Sequence, residues 1–240
     1  MTRIAIIAAI PGELKPLVRG WQHERRNGVH LWRFRSSENE WIVACAGAGV
    51  DAATRAFAEV EKSGPIDEVI STGWAGALRD EFLLGQAYDV STIIDASTGE
   101  RFVAACPPDD CSLVTSSRVA GAAEKKRLAA TYEAALVDME AAGVARLAKM
   151  RGIPFYCVKG ISDGTTDQLP DFNSFISPGG QFVLARFILF AILHPGYWPA
   201  LIRMGENSKK AARNIAQSLQ NLLDERGSAS KRNDNPNHQS

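Results

Sequence analysis

Three acidic residues, far apart along the chain, stand where apolar runs end. Glu13 follows the run RIAIIAAI, Glu140 follows ALVDM, and Asp163 closes FYCVKGIS. Carboxyl groups can act as general acids, as general bases, or as anions that favour a developing positive charge. Each also has a plain structural use: Asp163 suits a helix cap or an Asx turn, and Glu140 a first-turn acid facing a helix dipole. What makes the set informative is position. If the runs are strands of an open α/β sheet, their ends converge on one crevice, and three distant carboxylates meet around one ligand.

The elements that must position them alternate along the chain. Arg3 to Ile10 is a continuous apolar, β-branched run stopped by Pro11-Gly12, as expected for a strand buried on both faces. Val29 to Arg35 and Trp41 to Ala46 read as strands around a polar turn, and Val50 to Lys62 as a helix ending before Gly64-Pro65. Further strands are expected at 68–72, 87–95, 102–105, 113–116, 135–139 and 155–161, with helices at 121–132 and 140–150. Strand and helix in alternation predict an α/β fold, a mostly parallel twisted sheet flanked by helices. Two Gly-rich turns, Ala46-Gly47-Ala48-Gly49 and Thr72-Gly73-Trp74-Ala75-Gly76, follow strands and would let backbone amides approach a ligand. Neither fits a dinucleotide or P-loop pattern.

Composition narrows the partners. The 240 residues carry 27 Lys plus Arg against 27 Asp plus Glu, so no overall field gathers nucleic acid, and a small neutral substrate suits the balance. Four cysteines without paired short spacing and only four histidines give no zinc cluster and no disulfide framework, so no metal or other cofactor is called for. The apolar start is cut at Pro11 with no cleavage-site pattern, and a cytoplasmic location is expected.

The C-terminal quarter has its own character. Phe182 to Leu193 is almost wholly apolar, yet at twelve residues it is short of the roughly 20 that span a bilayer. A buried helix is the default reading. After the break HPGYWP, Ala200 to Leu223 continues as an amphipathic helix with Arg203, Lys209, Lys210 and Arg213 on its polar side, and the alternative is that 182–204 docks on a membrane surface. One domain over 1–226, with a helical part over 178–226, and a disordered tail over 227–240 complete the expected organisation.

The segments IAIIAAIPGEL, CAGAGVDAA, ISTGWAGAL, LVDMEAAGVARLA and IPFYCVKGISD, in this order, closely resemble the purine nucleoside phosphorylase superfamily, above all its methylthioadenosine/S-adenosylhomocysteine nucleosidase branch. The resemblance implies a three-layer phosphorylase/hydrolase-like fold, hydrolysis of a purine–ribose bond, and a homodimer. It assigns Glu13 to the attacking water, Met139 and Glu140 to the ribose, and Asp163, with Ser162 beside it, to the base. Gly73, Trp74 and Ala75, and Val119 with Ala120, fall on its substrate-binding segments. Physically, the bond breaks through an oxocarbenium-like transition state while negative charge gathers on the departing purine. An Asp163 kept protonated by an apolar surround would donate to that purine, Glu140 would favour the cationic sugar, and Glu13 would deprotonate water on the opposite face.

The sequence also departs from the branch. Trp74 stands where a serine is expected, and no aromatic residue occupies the segment Ser117-Arg118-Val119-Ala120 that usually covers the base. Phosphate-dependent relatives hold the anion with arginines and a Gly-rich loop after the first strand; here that loop carries Glu13, which favours water, while Arg19 and Arg79 leave phosphorolysis as an alternative. The segments IIDASTGERF and HPGYWPALIRMGENSKKAA are similar to hopanoid-associated members thought to act on adenosylhopane, so the expected substrate is a soluble thio-nucleoside or a lipid-linked adenosine. A nucleoside-binding module without turnover is the alternative from another class.

Overall fold

The computed structural model describes residues 1–37, 39–105 and 111–233. The apolar start forms β1 (Thr2–Ala8), and the Pro11-Gly12 pair opens a single helical turn, α1 (Pro11–Leu14). Strands β2 (Gln22–Arg26), β3 (Val29–Arg35) and β4 (Asn39–Cys45) follow as a meander, then α2 (Val50–Glu61) and the long β5 (Glu68–Ala77). The next elements are β6 (Ala87–Asp89), β7 (Thr92–Asp95), β8 (Arg101–Val103), β9 (Ser112–Thr115), α3 (Ala122–Tyr132) and β10 (Leu136–Asp138). Then come α4 (Ala141–Arg151), β11 (Phe155–Asp163), α5 (Leu184–Leu193) and α6 (Trp198–Asn233).

All the strands join one sheet in the order β2-β3-β4-β1-β5-β10-β9-β7-β8, with β11 and β6 branching from β5. Strand β1, buried along Ile4 to Ala8, lies between β4 and β5 and pairs in parallel with both, as a run without polar alternation requires. Of the ten pairings among the described residues, five are parallel and five antiparallel, so the sheet is mixed where a mostly parallel one is expected. The reason is connection length. Asn27-Gly28, both at positive φ, joins β2 to β3 as a two-residue hairpin, and β4 begins only four residues after β3 ends, whereas a parallel crossover needs a dozen residues or more.

Helices α2 and α4 pack together over one face of the sheet, and α1 with α6 over the other. Strand β5 continues through Gly73-Trp74-Ala75-Gly76, where a turn is expected, and β11 follows it in parallel until the register shifts between Ile161 and Asp163. Such a bulge bends a strand and re-aims its side chains. The expected strand over 87–95 is two strands on different partners, β6 on β11 and β7 on β9.

The C-terminal part differs most from expectation. No residue of α5 is buried, against the expected core helix. The inner face of α6, with Ala211, Ile215 and Leu219, already covers the sheet there. What anchors α5 is an aromatic cluster in which Phe175 meets Phe187 and Phe190 with ring centroids 5.5 and 5.2 Å apart. No single helix among the described residues is long and apolar enough to cross a membrane, and α5 and the helical stretch after it meet at 99°. Helix α6 runs to Asn233, so 227–233, assigned by composition to a disordered tail, are helical, because extending a formed helix adds a hydrogen bond without a new nucleus. Residues 234–240 of that tail lie outside the described residues.

Candidate active site

An open hollow of about 190 Å³ lies where β1, β10 and β11 end, and Glu13, Glu140 and Asp163 all line it. Trp74, Ala75, Val119, Ala120, Met139 and Ser162 line it as well. Gly73 does not. Its φ is +133°, and a Cβ there would come within 2.7 Å of Glu13 Oε1, so this glycine makes room behind the carboxylate.

Glu13 is fixed by backbone donors. Its Oε2 accepts from the amides of Ala9 and Ile10, each at 2.9 Å, and its Oε1 from the amide of Trp74 at 2.9 Å. Burial pushes its pKa up, and these three amides and the charge of Lys159 pull against that rise. Glu140, where α4 begins, accepts at Oε1 from Gly49 N–H at 2.7 Å, the amide just ahead of α2. Its pKa is pushed up to about 8, first by burial and then by the neighbouring charge of Asp138, with Lys159 opposing.

Behind these two acids stands a buried ion pair that sequence reasoning missed. Lys159 Nζ lies 2.9 Å from Asp138 Oδ2, and both side chains are fully enclosed. Burial works against the lysine's charge, yet its pKa is raised, because the anions around it, Asp138 foremost, outweigh that cost. Asp138 also accepts from Ala141 N–H at 2.9 Å, closing the start of α4, and from Thr115 Oγ1 at 2.7 Å. A lysine inside the apolar run FYCVKGISD is the signal that could have found it, since a charge on a buried strand needs a partner.

The bulge at the end of β11 turns Ser162 and Asp163 toward the hollow. Asp163 Oδ1 accepts from Ser162 Oγ at 2.5 Å, while Oδ2 is held by Lys125 Nζ, which also donates to Gly164 O at 2.5 Å. The expected apolar surround for Asp163 is therefore corrected: its partner is a buried ammonium from α3. Sequence reasoning missed Lys125 because AAEKKRLAA reads as a solvated helix.

Trp74, which stands where the resemblance leads one to expect a small hydroxyl, donates from Nε1 to Ser208 O at 3.0 Å and ties the wall of the hollow to α6. The C-terminal segment adds Ile176, Gly180, Phe182 and Met204 to the lining, and Gly180 O accepts from Ala48 N–H at 2.8 Å. Of the run 182–204, then, only the two ends reach the hollow. Arg19 is exposed, Arg79 Nη1 lies 3.7 Å from Glu81, and neither lines it. No group of three or more His, Cys, Asp or Glu among the described residues is placed to hold a metal ion.

A methylthioadenosine/S-adenosylhomocysteine nucleosidase of Shewanella halifaxensis is 22% identical over 217 residues, which cover 75% of this chain and 94% of the relative. Two solved structures from Helicobacter pylori share the fold at a TM-score of 0.72. One is a methylthioadenosine/S-adenosylhomocysteine nucleosidase bound to a pyrrolidine compound, with 16% identity, 93% of this chain and 98% of that one covered. The other is a futalosine hydrolase, with 15% identity and the same coverage. The sequence profile of the phosphorylase superfamily matches residues 3–108 and 111–183, and by that match the chain belongs to the phosphorylase superfamily.

Proposed function

We propose that this protein is a purine nucleosidase that hydrolyses the N-glycosidic bond of an adenosine-type nucleoside and releases adenine. The observation that carries the reading is the convergence of Glu13, Glu140 and Asp163 on one hollow. The nucleosidase activities named for its relatives agree with it. In this reading Glu13, its carboxylate held by three amides, orients and deprotonates water. Glu140 and Met139 meet the ribose hydroxyls, and Asp163, steadied by Ser162, passes a proton to the departing base. Water is favoured over phosphate because a carboxylate occupies the loop after β1; neither Arg19 nor Arg79 reaches the hollow, and the arginine that does line it, Arg118, comes from the segment before α3 and not from that loop.

For the 5′ substituent we favour a lipid chain. Ile176, Phe182 and Met204 give the hollow an apolar side, and the adjoining α5 leaves Leu184, Leu189, Ile192 and Leu193 each about 60% exposed, at 59, 60, 63 and 65%. Residues 182–204 contain Arg186 and Arg203 and no acidic residue, which suits an anionic lipid surface. A peripheral site at the cytoplasmic face of a membrane follows. The homodimer implied by the resemblance would be read from the mass in solution.

The test is release of free adenine from methylthioadenosine and from a lipid-linked adenosine. Asp163→Asn is expected to lower the rate by about 10²–10⁴ while binding remains measurable. Binding without release by the parent protein would make it a nucleoside-binding module, and sugar 1-phosphate formed in phosphate buffer would make it a phosphorylase.

A further inference from the structure

Lys125 sits in the first turn of α3 and is 3% exposed, while its neighbours Lys126 and Arg127 face solvent. The position is doubly unfavourable for a cation: burial strips water from its charge, and the N-terminus of a helix is itself positive. What offsets this is a set of oxygens. Nζ meets Asp163 Oδ2, the Gly164 carbonyl at 2.5 Å and the Asp163 carbonyl at 3.5 Å. Space is kept for the pair by Gly76, where a Cβ would lie 3.0 Å from Nζ and 3.1 Å from Asp163 Oδ2. Both partners line the hollow.

We propose that Lys125 is a positioning residue that supplies, through Asp163, the proton taken up by the departing base. The inference rests on the nucleosidase reading. The bond from the base nitrogen to C1′ breaks, and its electron pair stays with the base. A proton passes from the Lys125 ammonium to Asp163 and from Asp163 to a ring nitrogen, so the purine leaves neutral and Lys125 is left as an amine. Water adds to C1′ and gives its proton to Glu13, and that proton returns to Lys125 through solvent before the next turnover. The sum is nucleoside plus water giving purine and free sugar.

Two variants test it, Lys125→Met and Lys125→Arg; the second keeps a cation beside Asp163 but does not give up its proton. Both are expected to lose about 10²-fold or more in kcat on an adenosine-type nucleoside, with KM within about threefold of the parent. On a p-nitrophenyl ribofuranoside, whose leaving group departs without a proton, both are expected to stay within about threefold of the parent. Far-UV circular dichroism, thermal melting and adenine binding by tryptophan fluorescence report the fold and the site. Parental kcat in Lys125→Arg would reduce the lysine to a charge, and equal losses on both leaving groups would reduce it to scaffold; either overturns the proposal. A parent that releases no base sinks the nucleosidase reading, whereas an active parent with an indifferent Lys125→Met sinks only this inference.

Discussion

Exchanging Glu140 for glutamine, a group of nearly the same shape that does not ionise, removes one titration from the centre of the site. The residue is 8% exposed, and its pKa rises from 4.5 to about 8, chiefly through burial and next through the charge of Asp138. The folded chain therefore holds this proton more tightly than the unfolded chain. The stability this contributes is complete below pH 4.5 and is lost as the pH climbs through about 8. At about 1.36 kcal/mol per pH unit across that interval the loss has a ceiling of roughly 5 kcal/mol, a ceiling because Asp138 and Lys159 respond to the same change.

Glutamine keeps an acceptor for Gly49 N–H but brings an amide donor toward Met139 N–H, which approaches Glu140 Oε2 at 3.3 Å. That mismatch costs about 1 kcal/mol. The parent is thus expected to be slightly more stable at pH 5 and the variant more stable, by several kcal/mol at most, at pH 9. Urea unfolding followed by tryptophan fluorescence at pH 5, 7 and 9 measures both. Parallel stability curves for parent and variant across this range would refute the argument that Glu140 is a buried, proton-retaining carboxyl.

Gly73→Ala puts a methyl group at a φ of +133° and within 2.7 Å of Glu13 Oε1. A loss of about 1–3 kcal/mol in thermal unfolding, and of adenine release by about 10²-fold, is the expected outcome. Replacing Leu189 and Ile192 by aspartate should abolish flotation of the protein with vesicles rich in anionic lipid and leave hydrolysis of a soluble nucleoside unchanged. A parent that stays off the vesicles while doubling its mass with concentration would assign the α5 face to a second copy of the chain.

Elements whose residues agree with their surroundings were legible in the sequence. β1, β4 and α2 carry apolar patterns that match their burial, and the three acids follow from where such runs stop. β2 was not legible: QHERR is an edge strand with solvated side chains, and its one signal is the Asn27-Gly28 turn that pairs it with β3. The end of β5 was hidden because four residues rich in glycine read as a turn, when those glycines instead give clearance to Glu13 and to the Lys125–Asp163 pair. α5 misled for the opposite reason, since an apolar run announces burial but does not name what buries it.

The two buried lysines explain how this site divides its charges. Four carboxyl groups gather at one small hollow, three lining it and that of Asp138 enclosed behind them, and four ionised acids so close together would repel one another. Lys159 takes Asp138 and Lys125 takes Asp163, each through direct contact. Glu13 and Glu140 form no ion pair among the described residues; backbone amides hold them, and burial pushes the pKa of each up. Amides fix a carboxyl group's direction while adding less charge than an ammonium does, so burial prevails at these positions. Glu140, assigned to the ribose, is thereby poised to exchange a proton near neutrality, and Glu13, assigned to water, holds a proton more tightly than an exposed carboxyl does, while in the proposed relay the acid assigned to the base draws on the lysine beside it. In the proposed mechanism the lysines, as much as the carboxylates, decide which group acts as base and which as acid.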